Sequence, residues 1–184
     1  MRSSRGIASI LAIVAGLAMV VAGPIMIYKG FDGQAQVKDQ LSAQKIVFPP
    51  AGSEGLPAAQ AQYAGETVDT GTEAKAYADM VETHVLASTE GRTYSQVSEE
   101  WRAGGMKDEE LGALRQTAFM GESLRGSLMG AYQAWQVTYL VIGLGALVTG
   151  LGFVFGAMGV ALRPRRIVVP DSPQVLLHPE VLHS

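Results

Sequence analysis

Two long uncharged apolar runs constrain this chain more than anything else in it. "GIASILAIVAGLAMVVAGPIMIY", Gly6 to Tyr28, has Ser9 as its one clearly polar residue. "VTYLVIGLGALVTGLGFVFGAMGVAL", Val137 to Leu162, has Thr138 and Thr149. A helix rises 1.5 Å per residue, so about 20 apolar residues cross the roughly 30 Å hydrocarbon core of a bilayer. A globular core helix of that length would carry a polar face, and neither run has one. The pattern predicts two membrane spans, 6–28 and 136–162.

Arg2 and Arg5 ahead of the first run also describe a signal peptide, with Val20-Val21-Ala22 resembling a cleavage site. The apolar character continues past that point through Pro24-Ile25-Met26-Ile27, which favours an uncleaved anchor. Basic residues set the orientation. Arg2 and Arg5 precede the first span and Arg163, Arg165 and Arg166 follow the second, so the positive-inside rule puts residues 1–5 and 163–184 in the cytoplasm. Residues 29–135 then lie outside. They hold nine Lys or Arg against fifteen Asp or Glu, a net charge of −6 that the whole-chain value of −3 conceals. Such a segment is a poor partner for nucleic acid or for anionic lipid head groups.

The chain has no cysteine, so the outer segment must hold together by packing or by partners. It also lacks asparagine and is rich in Ala, Gly and Arg, a composition typical of a GC-rich bacterial genome. Along the outer segment, "FDGQAQVKDQLSAQ" reads as a polar helical continuation of the first span. "KIVF" and "GETVD" read as short strands, and 49–62, "PPAGSEGLPAAQAQ", as a flexible connector. "GTEAKAYADMVETHVLAST" is amphipathic, with Thr72 as N-cap and Gly91 beyond its end. "TYSQVSEEWRAGG" predicts a shorter helix opened by Thr93 or Ser95. From Asp108 onward one helix runs without proline into the second span, with Tyr132, Trp135 and Tyr139 placed as an interfacial aromatic belt. The expected fold is a membrane protein, mainly α: a two-helix transmembrane hairpin with a small helix-rich extracytoplasmic domain containing one or two short strands. The proline-rich tail after Arg166 is expected to be extended or disordered.

Candidate chemistry is sparse. His84 is the only histidine between the spans; His178 and His183 follow the second. A metal site needs three or four ligands from His, Cys, Asp or Glu. With the bilayer between His84 and the other two, a site of two histidines and one carboxylate cannot assemble within one chain. His84 is therefore expected at the edge of a packed helix face, and no cofactor or metal is expected. "HPEVLH" lacks the i, i+4 spacing of a helical pair. No G-x-S-x-G occurs, and "GLGALVTG" lies mid-span without the strand and lysine a phosphate loop needs. Glu99-Glu100 and Glu109-Glu110 read as solvated helix faces.

Small residues within the spans have a physical use, because helices in lipid associate where backbones approach closely. Ala8, Ala12, Ala15, Met19 and Ala22 recur at spacings of four and three, and so do Gly145, Thr149, Gly152, Gly156 and Gly159. Two such seams suit a close antiparallel, left-handed hairpin.

The stretches "QKIVF", "YAGETVD", "AKAYADMVETHVLAST", "GRTYSQV" and "GESLRGSLMGAYQAWQVTYLVIGLGALVTGLG" together resemble a family of uncharacterised actinobacterial membrane proteins with two spans around an outer domain. The positions carrying the likeness are Gly65, Val68, Ala76, His84, Gly91, Thr93, Tyr94, Ser123, Leu124, Arg125 and Ser127. This chain departs from the pattern in its longer "PPAGSEGLPAAQ" connector and in "VSEEWRAGGMKDEE". The resemblance implies membrane location and architecture. Members often carry a name linking them to an aromatic ring-opening dioxygenase, a label that the ligand count above does not support.

The expected function is a non-enzymatic plasma-membrane protein, an accessory or structural subunit packing through its spans against itself or a larger complex. The absence of any charge within the spans argues against a transporter or proton path. The alternative is a membrane-anchored sensor or ligand-binding module with Tyr77, His84, Tyr94 and Trp101 lining one pocket.

Overall fold

The computed structural model describes residues 2–163. Two long helices dominate it. α1, Arg2–Ala43, carries the first apolar run and its polar continuation without a break, with Pro24 inside it. Pro24 has no N–H for the Val20 carbonyl, and its ring lies on the exposed side of the helix. α4, Glu109–Ala161, has 53 residues, which at 1.5 Å each makes a rod about 80 Å long. The two run antiparallel, so Arg5 and Arg163 sit at the same end of the pair: Ser9 near the start of α1 bonds Gly159 near the end of α4.

Both helices are long and apolar enough to cross a membrane, and only 17% and 11% of their apolar windows are buried inside the protein. Their large side chains point outward instead, with Leu11, Leu17, Leu140 and Phe153 each more than half exposed.

The remaining elements pack on the polar halves of this pair. α1 ends in a turn at Gln44 and Lys45, whose amides bond Leu41 and Ser42 carbonyls. The two expected strands are absent among the described residues. Instead "KIVF" and "GETVD" meet in a single antiparallel bridge, Val47 with Thr67. Phe48 N–H donates to Glu66 O (2.9 Å) and Val68 N–H to Ile46 O (2.9 Å). Gly65 N–H still donates to Pro49 O (3.2 Å), but Pro50 has no N–H and Glu66 N–H turns back to Tyr63 O, so the ladder goes no further. The connector 49–62 is not featureless: Ala58–Tyr63 form a 3-10 turn. That turn brings Tyr63 to stack on Phe48 at 5.2 Å.

α2, Gly71–Ser88, begins at Thr70 rather than the expected Thr72. Thr70 and Glu73 make a reciprocal capping box, the T-x-x-E pattern that satisfies orphan amides at both positions. α3, Tyr94–Ala103, opens the same way with Thr93 and Gln96. α4 is capped by Asp108, whose carboxylate accepts from Leu111 N–H.

α2 lies antiparallel along α4. At one end Gly71 sits so close to Trp135 that a Cβ there would strike the indole; at the other, Gly121 accommodates Val85 in the same manner. Trp135 is thus buried beneath α2 and not displayed in an interfacial belt, although Tyr139 beside it is exposed. The main core gathers Leu41, Phe48, Val68, Ala74, Ala78, Met80 and Leu128, with Tyr77 meeting Phe48 edge-on at 5.1 Å. The tail from residue 164 onward, including His178 and His183, lies outside the described residues.

Candidate functional site

Two places in the molecule concentrate features that a plain helical packing would not require. The first is the line of contact between α1 and α4. Ser9, Gly16, Gly23 and Gly30 recur every seven residues, as do Thr138, Gly145, Gly152 and Gly159. All eight are buried. They meet as four successive pairs: Ser9 with Gly159, Gly16 with Gly152, Gly23 with Gly145, Gly30 with Thr138.

The approach is backbone to backbone. A Cβ on Gly16 would lie 2.7 Å from Gly152 O, and one on Gly145 would lie 2.7 Å from Gly23 O. Ser9 Oγ donates to Gly159 O at 2.6 Å, which gives a hydroxyl inside an apolar run its partner. Thr149 likewise donates to Gly145 O at 2.8 Å, within its own helix. A strict seven-residue period is the geometry of a left-handed two-helix coil.

This corrects the expected seam on α1. Ala12 is in the contact and Met19 is half-buried, but Ala8, Ala15 and Ala22 are exposed; the buried line runs one position later. The alternation of small and apolar residues is nearly uniform along α1, so hydropathy does not separate the two registers. The glycine heptad was the signal available, since only glycine lets two backbones touch. On α4, Gly145, Thr149, Gly152, Gly156 and Gly159 all lie along the contact. Gly156 differs in kind, because a Cβ there would meet nothing within 4 Å.

The second place is the far end of the head. Tyr77, His84, Tyr94 and Trp101 do not share a pocket. Tyr77 belongs to the Phe48 core. His84 is on the exposed side of α2 and not at the edge of its packed face. Among the described residues, no three His, Asp or Glu side chains converge as a metal ion would require.

Tyr94 and Trp101 do come together, in a cleft of about 230 Å³ between α3 and the start of α4, with Ser95, Ser98, Arg102 and Arg115. Trp101 Nε1 donates to Asp108 O (3.1 Å), and the Arg115 guanidinium lies 4.6 Å from the ring centroid, a cation–π contact. Arg102 Nε donates to Ser98 O at 3.0 Å. Two buried polar atoms here have no hydrogen-bond partner: Ser98 Oγ and Arg115 Nε. The Tyr94 phenol is held below its ordinary range, first by the Ser98 hydroxyl, which stands near it without closing a hydrogen bond of ordinary length, and then by Arg115, both of which favour the phenolate. Nothing in the sequence marked Ser98, Arg102 and Arg115 as neighbours, since Arg115 lies on a different helix from the other two.

A larger cleft of about 540 Å³ adjoins it, between α2, the α2–α3 turn and α4. Its charges are already matched: Arg125 bonds Glu82 and Glu122, each at 3.1 Å, and Arg92 bonds Glu100 at 2.7 Å. Such partly exposed pairs hold helices in register more than they prepare a ligand site.

Comparison with known proteins finds no matching family, no similar curated protein and no similar solved structure.

Proposed function

We propose that this chain is a two-pass plasma-membrane protein, with both termini cytoplasmic and its helical head outside. In this reading it serves as a non-enzymatic accessory or structural subunit of a larger membrane assembly or of its own oligomer. One observation carries the reading: the α1–α4 pair turns the glycines of its heptad seam inward and its large apolar side chains outward. That is the reverse of a water-soluble hairpin, and a bilayer is the surrounding that makes it favourable. Arg5 and Arg163 at one end of the pair, and the acidic head at the other, match the positive-inside rule. The exposed small residues Ala8, Ala15 and Ala22 leave room for a further helix to approach α1.

Gentle solubilisation from the native host and purification of the intact chain tests it. A stoichiometric membrane partner or a defined oligomer is the expected result. A monodisperse monomer, or a chain that partitions into the soluble fraction, would overturn it. The second reading, a membrane-anchored ligand-binding module, is favoured by the unpartnered Ser98 and Arg115 atoms in the head.

A further inference from the structure

The cleft between α3 and α4 differs from its larger neighbour in what lines it. Across 29–135 acidic residues outnumber basic ones fifteen to nine, yet Tyr94, Ser95, Ser98, Trp101, Arg102 and Arg115 include no carboxylate. Lys29, Lys38, Lys75, Arg92 and Arg125 each pair with a carboxylate. Among the described residues Arg102 and Arg115, like Lys45 and Lys107, have no such pairing, and only the two arginines line a cleft together. Ser98 is only 7% exposed, and its hydroxyl lacks a partner. Arg115 Nε is buried and equally unpartnered. Leaving buried polar atoms unpaired is unfavourable, and more so on a charged group. A ligand that accepts from both removes that cost.

We propose that Ser98, Arg115, Arg102 and Tyr94 form a binding site for a small soluble oxyanion, a phosphate or carboxylate group. Guanidinium nitrogens and hydroxyls are the donors such groups take, and a guanidinium already stacked on Trp101 is pre-positioned to give them. The depressed phenol of Tyr94 points the same way, because the local donors already favour negative charge at that spot. The cleft is smaller than a drug-sized pocket and suits a charged group on a short stem. A lipid head group is a poor source: from Arg115 to the apolar run at Val137, α4 climbs about 33 Å at 1.5 Å per residue. The proposal rests on the second reading, a ligand-binding module, for which it names the ligand class, and needs neither partner nor oligomer.

Nuclear magnetic resonance on the ¹⁵N-labelled full chain in detergent micelles tests it, using the two indole N–H signals, Trp101 and Trp135. Inorganic phosphate or acetate, titrated against chloride at matched ionic strength, should move the Trp101 signal saturably and leave Trp135 in place. Arg115→Gln should weaken that response about tenfold or more, and Ser98→Ala about fivefold. The Trp135 signal and helical circular dichroism report whether each variant still folds; if Arg115→Gln does not, Ser98→Ala and Arg102→Gln decide. An unsaturable response, an equal response to chloride, or full binding in the folded variants would overturn the proposal. So would a Trp101 shift seen only in bilayer discs containing anionic lipid, which would make the ligand a head group.

Discussion

The apolar end of this molecule and its head use opposite solutions to the same problem of joining helices. In the span region α1 and α4 touch through glycine backbones, with no large side chain between Gly16 and Gly152 or between Gly23 and Gly145. In the head the joints are plugs of large residues: Phe48 between Tyr63 and Tyr77, Trp135 under Gly71, Val85 against Gly121. On the membrane reading proposed above, the difference follows from the solvent. Water drives large apolar side chains together, so a head in water gains most from burying rings. Lipid gives no such gain, so helices there associate through van der Waals contact over the closest approach they can make.

The largest test of that contrast is Phe48→Ala. Phe48 is 2% exposed at the centre of the aromatic cluster, and its loss should cost the head about 3–5 kcal/mol. Thermal melting followed by near-ultraviolet circular dichroism should show the head transition falling well below that of the parent while the α1–α4 pair stays helical. One merged transition would mean that the two regions are a single cooperative unit and the contrast is only descriptive.

Next in size is a paired substitution in the spans. Gly152→Leu forces a side chain into Val20 and the Gly16 carbonyl, and should destabilise the hairpin by about 1–3 kcal/mol. Gly150→Leu, two residues away where a Cβ meets nothing within 4 Å, should leave hairpin melting in detergent unchanged. Gly156→Ala belongs with the second kind. Equal effects of Gly152→Leu and Gly150→Leu would remove the glycine seam as the basis of pairing.

How far the fold was legible in the sequence follows the same division. The two apolar runs, the unbroken α4 and the two amphipathic helices announce themselves through run length and period, which are local properties. Thr70 was also legible, since Thr70-Gly71-Thr72-Glu73 spells a capping box, although Thr72 is by residue type an equally acceptable N-cap. The register of α1 was harder. Ala8–Ala15–Ala22 and Ser9–Gly16–Gly23 share one period, and only the need for backbone contact ranks glycine above alanine. The strands failed because pairing is non-local and ended after one bridge. Least legible was the Ser98–Arg115 cleft, created by the angle at which α3 folds back on α4. No periodicity reports such an angle.

The smallest expected effect asks whether the head's polar chemistry is as particular to it as the seam's glycines are to the spans. The apolar runs contain no Asp, Glu, Lys, Arg or His, and Tyr28 and Tyr139 are their only ionisable side chains, so most pH dependence of stability has to arise in the polar parts. Tyr94 is one source. Its folded pKa lies below the ordinary 10.0, so its ionisation stabilises the folded head. That contribution is absent well below the folded value, grows as pH rises through it, and is complete only above 10.0. Because the phenol stands near solvent, the effect on melting is slight, and tyrosinate absorbance is the better reading. One phenol should ionise early, and Ser98→Ala, which removes the first cause of the shift, should return it upward. An unmoved titration in Ser98→Ala would mean that the hydroxyls of Tyr94 and Ser98 do not share one locus, and the head would then lack the convergent donors that set it apart from the spans.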